Sequence, residues 1–323
     1  MIKNNKKVLF NSFIVFFAVF IPKVLLCLAA HPLSVPSDEI ATMSAGAYLA
    51  GLDWSEVISH AGYYGSGMTI FTAPIYWITD NPVVIYRTVG IFCAFLQSVP
   101  AVIAYYTVRK YYKLKKAASM LIGMVSGFFV MAQAHVIYNE NAMILVSWII
   151  MLLIYKLHES VEHERRKRVY SFLLMVLLSY SMTLHTRAVT FWIVLVVLVI
   201  CYRWCYGKWL VSIPVTVLSG ITGWVVSYQV IHYAQFLLWK LEAGESVRNG
   251  SINIGGGFRA LIHLEDIRAW LSIILGQIHT IGVFTGGFAV LFACAFIAVA
   301  CQFLFSKKCR EKSESRRTGH CQQ

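Results

Sequence analysis

Two carboxylates stand side by side in the stretch "VPSDEIATMSAGAYLAG" (Val35–Gly51), just after the first long apolar segment of the chain. Adjacent Asp38 and Glu39 admit two readings. Ser37 followed by Asp38-Glu39 reads as an N-cap and an acidic first turn of a helix over 38–50, with Gly51 as its stop, and carboxylates there simply complement the helix dipole. In the other reading, a carboxylate kept ionised by a helix N-terminus draws the proton from an attacking hydroxyl or amine. Helix geometry divides the pair, because successive residues lie about 100° apart. Asp38 shares a face with Thr42, Ala45 and Leu49, and Glu39 with Met43, Gly46 and Ala50. Both cannot aim at one reacting atom, so Asp38 would face a site while Glu39 fixes the loop.

Other groups offer binding chemistry. Glu140 in "YNEN" would hold a metal or a sugar hydroxyl, or would merely cap a span together with Asn139 and Asn141. In "LHTRA", Arg187 offers a phosphate-binding guanidinium and His185 a metal ligand or hydrogen-bond donor; both equally suit interfacial anchoring. His60, Tyr63 and Tyr64 sit in the Gly-rich bend "SHAGYYGSG" and would line a sugar pocket or pack the loop. Arg259 and Arg268, with Lys240 and Arg248, surround "NIGGGFR", a turn able to cradle phosphate or to serve as a lid. Arg87, five residues into an apolar span, calls for an ion-pair partner, and Lys23 near the outer end of the first span is expected to snorkel.

The elements that must position these groups are membrane helices. Of the 323 residues 58% are hydrophobic and only 13% charged. A spanning helix needs roughly 20 apolar residues, and the hydropathy pattern places spans at 8–30, 83–107, 117–138, 142–157, 169–184, 188–202, 209–233 and 281–305. The predicted fold is an all-α polytopic transmembrane bundle of about eight spanning helices, a single domain over 1–323. Its first extracytoplasmic loop is 31–82 and its last 234–280, each with an interfacial helix ("MTIFTAPIYWIT" and "AWLSIILGQIHT" are too short to cross), and 306–323 forms a basic cytoplasmic tail. Three spans, 142–157, 169–184 and 188–202, are too short to cross untilted and call for thinning or a hydrated cavity.

An even number of spans puts 21 of the 28 Lys and Arg residues on one side, with both termini, and ten of the fifteen acidic residues on the other. Both termini are therefore expected to be cytoplasmic and the acidic chemistry to face outward. The same placement accounts for the net charge of +13 without nucleic acid. The eight cysteines fall in spans or cytoplasmic segments and imply no disulfide framework.

An acidic pair opening a short helix in a long first outer loop, followed by "DNPVVIYRTVGIFCAFLQSVPAVIAYYTVRKYY" with an early Arg, resembles the GT-C glycosyltransferases. The branch it is most similar to is that of protein O-mannosyltransferases and aminoarabinose transferases. The resemblance spans roughly residues 8–200; the chain has fewer predicted spans than that family and lacks its soluble C-terminal domain. It implies transfer of a sugar from a polyprenyl-phosphate donor to a protein, lipid or envelope-glycan acceptor at the outer face of the plasma membrane, with inversion. Asp38 would be the catalytic base, Glu39 its companion and Glu140 a second acidic position, while a divalent metal held by Glu140 and His185 is the one cofactor in prospect. A non-enzymatic transporter, flippase or envelope-assembly scaffold, or an inactive relative of these enzymes, is the alternative.

Overall fold

The computed structural model describes residues 2–29, 36–54, 56, 65–128, 136–185 and 188–239. These form helices α1 (Ile2–Ala29), α2 (Pro36–Leu49), α3 (Thr69–Tyr76), α4 (Pro82–Lys110), α5 (Lys116–Phe128), α6 (Asn139–Glu159), α7 (Glu164–Leu184), α8 (Val189–Tyr206) and α9 (Ile213–Trp239). No strand occurs among the described residues. Five of the helices, α1, α4, α6, α8 and α9, are long and apolar enough to cross a membrane, as expected of an integral membrane protein. The expected span 281–305 and the short apolar segment 269–280 lie outside the described residues.

Two expectations about length change. The short spans prove longer: α6 has 21 residues, α7 has 21 and α8 has 18. At about 1.5 Å per residue, 21 residues reach about 31 Å, so no thinning is needed for α6; α7 gains only the charged Glu164–Arg168 and is not among the helices apolar enough to cross. Much of the gain in α6 comes from Asn139-Glu140-Asn141, which form its first helical turn rather than a turn between helices. In the other direction, the span expected at 117–138 is helical as α5 only to Phe128 within the described residues.

Helix ends follow local chemistry. Asn81 caps α4, its Oδ1 accepting from the N–H groups of Val83 (3.0 Å) and Val84 (3.3 Å), with Pro82 at the first helical position. α2 stops at Gly51, whose φ of 87° belongs to the left-handed region. There the Leu52 N–H reaches Ala47 O and the Gly51 N–H reaches Tyr48 O, both at 3.0 Å, a Schellman closure. α2 is not an interfacial helix with one wet face. Ala41 to Ala47 are all buried, which small side chains allow on every side of the helix.

α1, α4 and α5 pack through a small-residue seam. A Cβ on Gly123 would lie 2.7 Å from Ala101 O, and one on Gly127 would lie 2.8 Å from Val19. This Gly-x-x-x-Gly pair lets backbones approach where lipid supplies no hydrophobic drive between helices. α7 and α9 meet the same way: Gly220 faces Met175, Gly223 faces Ser179, and Ser227 Oγ donates to Ser179 O at 2.7 Å. The basic helix ends gather together, as expected of residues 107–116, 156–168 and 202–208. Lys110 pairs with Glu159 at 2.6 Å, His158 Nδ1 lies 2.9 Å from Tyr202 Oη, and Lys208 pairs with Glu162.

Gly127→Leu should therefore lower stability by about 1–3 kcal/mol or more through overpacking. Thermal unfolding in detergent, compared with the same change at exposed Val125, measures it.

Candidate functional site

The bundle end opposite the basic clusters is held by Glu39. Its side chain is 0% exposed, and Oε1 accepts from Tyr86 Oη at 2.7 Å and from the Ile137 N–H at 3.0 Å. A buried carboxylate is tolerated only when hydrogen-bonded or paired, so these contacts fix α2 to α4 and to the segment before α6. Tyr86 reaches Glu39 because the Asn81 cap sets where α4 begins, one turn earlier. The Ile137 N–H is free to donate because residues 136–138 are not helical and α6 starts only at Asn139.

Asp38 is half-buried. Thr42, on its face of α2, receives a hydrogen bond from Asn139 Nδ2 at 3.4 Å, and the same nitrogen donates to Gly65 O at 3.1 Å. Asn139 Oδ1 is buried with no hydrogen-bond partner among the described residues. Gly65 has φ of 147° and lies so close to α7 that a Cβ would meet Leu184 O at 2.1 Å. The two N–H groups that follow, of Ser66 and Gly67, both donate to Thr183 O (2.8 and 2.9 Å), and Tyr180 Oη donates to Gly67 O at 2.9 Å. At the ends of α6 and α7, Glu140 Oε1 and His185 Nε2 lie 3.4 Å apart, with His185 buried and Glu140 half-exposed.

Below Glu39, a second set of buried polar groups runs inward. Lys23 Nζ donates to Gln97 Oε1 at 2.8 Å, Gln97 Nε2 to Asn141 Oδ1 at 2.6 Å, and Asn141 Nδ2 to Val136 O at 2.9 Å. Lys23 is 0% exposed and does not snorkel. With Gln97 as acceptor on the facing helix, turning inward removes the need to reach the headgroups. Arg87 is exposed, and no ion pair joins it to another described residue, so the expected charge partner is not found there.

An apolar cavity of about 930 Å³ adjoins the cluster. It is lined along α7 from Phe172 to Thr183, along α9 from Val215 to Leu238, and at one end by Ser66, Gly67 and Thr69. At about 1.5 Å per residue the α7 wall is about 16 Å long. Its polar end is the Gly65–Gly67 turn that also contacts Asn139.

Of the residues singled out from sequence, Asp38, Glu39, Glu140 and His185 stand on elements joined at this end. His60, Tyr63, Tyr64, Arg187, Arg259 and Arg268 lie outside the described residues. Tyr86, Asn139, Tyr180, Gln97 and the inward role of Lys23 were not anticipated. A Gln and a Lys in otherwise apolar spans were the available signal. Among the described residues no group of three His, Cys, Asp or Glu side chains converges as a metal site, Glu140–His185 supplying two donors.

Tyr86→Phe removes one hydrogen bond to a buried carboxylate and should cost about 1.5–3 kcal/mol. Chemical or thermal unfolding of the purified protein checks it, with Tyr112→Phe, exposed at the opposite end, as the comparison. No protein-family model, curated protein or solved structure matches the chain.

Proposed function

We propose that the protein is a membrane glycosyltransferase that moves a sugar from a polyprenyl-phosphate donor to an acceptor at the extracytoplasmic face. The observation that carries this reading is the adjacency of an apolar groove to the polar Gly65–Gly67 turn, which Asn139 joins to Thr42, one helical turn from the half-buried Asp38. A polyprenyl tail suits the α7–α9 wall, and the sugar phosphate would then lie at the Ser66–Gly67 end, where Tyr180, Thr183 and Asn139 cluster.

The pair in the first turn of α2 divides its labour. Glu39 is committed to Tyr86 and Ile137, so Asp38 takes the role of base. The acceptor O–H or N–H gives its proton to Asp38 as its lone pair attacks C1; the C1–O bond to phosphate breaks, and the lipid phosphate carries away the electron pair. One displacement inverts C1. Arg187, two residues beyond His185, and Arg259 or Arg268 are the candidates to receive the leaving phosphate. Glu140 and His185 together would bind a sugar hydroxyl, or share a divalent metal with the substrate. Eight spans with both termini cytoplasmic complete the arrangement, and they agree with the gathering of the basic helix ends.

A transporter would need polar groups along the whole depth. Along the α1–α4 seam, between the Lys23–Gln97 contact and the Asn11–Tyr105 hydrogen bond, Val15, Val19 and Ala101 are all 0% exposed and apolar, so among the described residues the buried polar groups of that seam are not continuous.

Asp38→Asn should lower turnover by about 10²-fold or more while leaving the unfolding midpoint unchanged. Transfer assays on purified protein in liposomes containing a polyprenyl-phosphate sugar measure this, and undiminished turnover would end the assignment. Val226→Trp, which narrows the groove, should raise KM for a long-chain donor several-fold and leave a short-chain donor unaffected. Equal effects on both donors would place the tail elsewhere.

A further inference from the structure

The hydrogen bonds of Lys23 and those of Glu39 end on the same peptide group. Asn141 Nδ2 donates to the carbonyl of Val136, and the N–H of the next residue, Ile137, belongs to that same peptide unit and donates to Glu39. The path is therefore unbroken: Lys23 amine, Gln97 amide, Asn141 amide, the 136–137 peptide, the Glu39 carboxylate, and finally the Tyr86 hydroxyl. Lys23, Gln97, Asn141 and Glu39 are each 0% exposed, so none of them bonds to bulk water.

We propose that Lys23 is a positioning residue for α2, acting on Glu39 through this chain of amides rather than by direct contact. The direction of every group is forced from the lysine end. An ammonium or amine hydrogen only donates here, so Gln97 must present Oε1 to it. That leaves Nε2 for Asn141 Oδ1, and Asn141 Nδ2 for a carbonyl, which only accepts. Turning any one amide sets donor against donor or acceptor against acceptor at both of its junctions. Aligned in one sense, the amide dipoles reinforce each other, and the peptide N–H facing Glu39 is the stronger donor for it. Without the Lys23 donor, Gln97 Oε1 loses the charged end of the chain, and the weakening passes through Asn141 to the peptide that anchors Glu39.

Glu39 is bonded to Tyr86 and Ile137, and the buried thiols of Cys27 and Cys93 both feel its charge, Cys27 that of Arg87 as well. Arg87 is the rival source of control, and it is not a member of the chain.

The test uses the full chain in lipid nanodiscs carrying Lys23→Met, Glu39→Gln, both together, Gln97→Leu, or Arg87→Met. Amide exchange at Ile137, read by mass spectrometry on fragments covering 136–141, should accelerate by about five- to tenfold in Lys23→Met and in Gln97→Leu, the loss expected when one net hydrogen bond weakens. Arg87→Met should leave it unchanged. The unfolding midpoint of the Lys23→Met, Glu39→Gln double variant should lie above the value given by adding the two single losses, since members of one network do not add. Unchanged exchange at Ile137 in Lys23→Met or in Gln97→Leu, strictly additive midpoints, or acceleration in Arg87→Met alone would each overturn the proposal. Should Lys23→Met fail to fold, Lys23→Leu takes its place with the same expected and overturning results. That the positioning serves Asp38 rests on the transfer reading. Undiminished turnover in Asp38→Asn removes that reading and leaves the chain intact, whereas unchanged exchange removes the chain and leaves transfer untouched.

Discussion

Placing the Glu39 carboxylate where no water reaches it constrains everything at its end of the bundle. An ionised carboxylate moved from water into a low-dielectric interior loses several kcal/mol even after relaxation, and only aligned donors offset this. Two are supplied by parts of the chain distant in sequence, a phenol from α4 and a backbone N–H from the segment before α6. Each needs its own local cause. The Asn81–Pro82 start fixes the phase of α4, and the late start of α6 leaves an N–H outside any helical ladder. α2 is then held by its first turn, and its neighbouring carboxylate is left half-buried on a different face.

Close approach of backbones does the remaining work. Gly46 abuts Thr72 and Ala73, Gly65 abuts Leu184, and the Gly123–Gly127 and Gly220–Gly223 pairs let α5 and α9 press against their neighbours. In each case but Gly220, whose nearest neighbour is the flexible tip of Met175, a Cβ would fall inside the contact distance of an atom that cannot readily move. Side-chain bulk is correspondingly moved outward, and many large apolar residues of α1, α8 and α9 are exposed, which suits a lipid surround.

Much of this was legible in the sequence where a single helix decides its own behaviour. A short helix in the first loop, its stop at Gly51, the short helix inside "MTIFTAPIYWIT" and the gathering of basic clusters follow from apolar length, left-handed glycine and charge asymmetry, although the first of these runs from Pro36 to Leu49, so Ser37 is its second residue and not its N-cap. The different faces of Asp38 and Glu39, one half-buried and one fully buried, likewise need only the angular step of a helix. What was not legible depends on partners far along the chain. Asn139-Glu140-Asn141 looked like a polar turn because nothing local shows that Gly65 and Gln97 will accept and donate to its asparagines. Lys23 looked like a headgroup anchor for the same reason. The enclosed α2 carried almost no amphipathic signal, since Ala, Ser and Gly bury on all faces without marking one.

Lys23 also has a history in the growing chain. It enters the membrane with α1, whereas its acceptor, Gln97, follows 74 residues later, and Asn141 is 44 residues later still. Synthesis proceeds from the N-terminus, so the amine must wait. During that interval the behaviour read from α1 by itself, a long flexible side chain stretching toward the headgroups, is the one physics favours. The lysine is withdrawn only when α4 arrives. The finished bundle thus records a sequence of insertion events, with the first helix changing partners from lipid and water to an amide once α4 is in place.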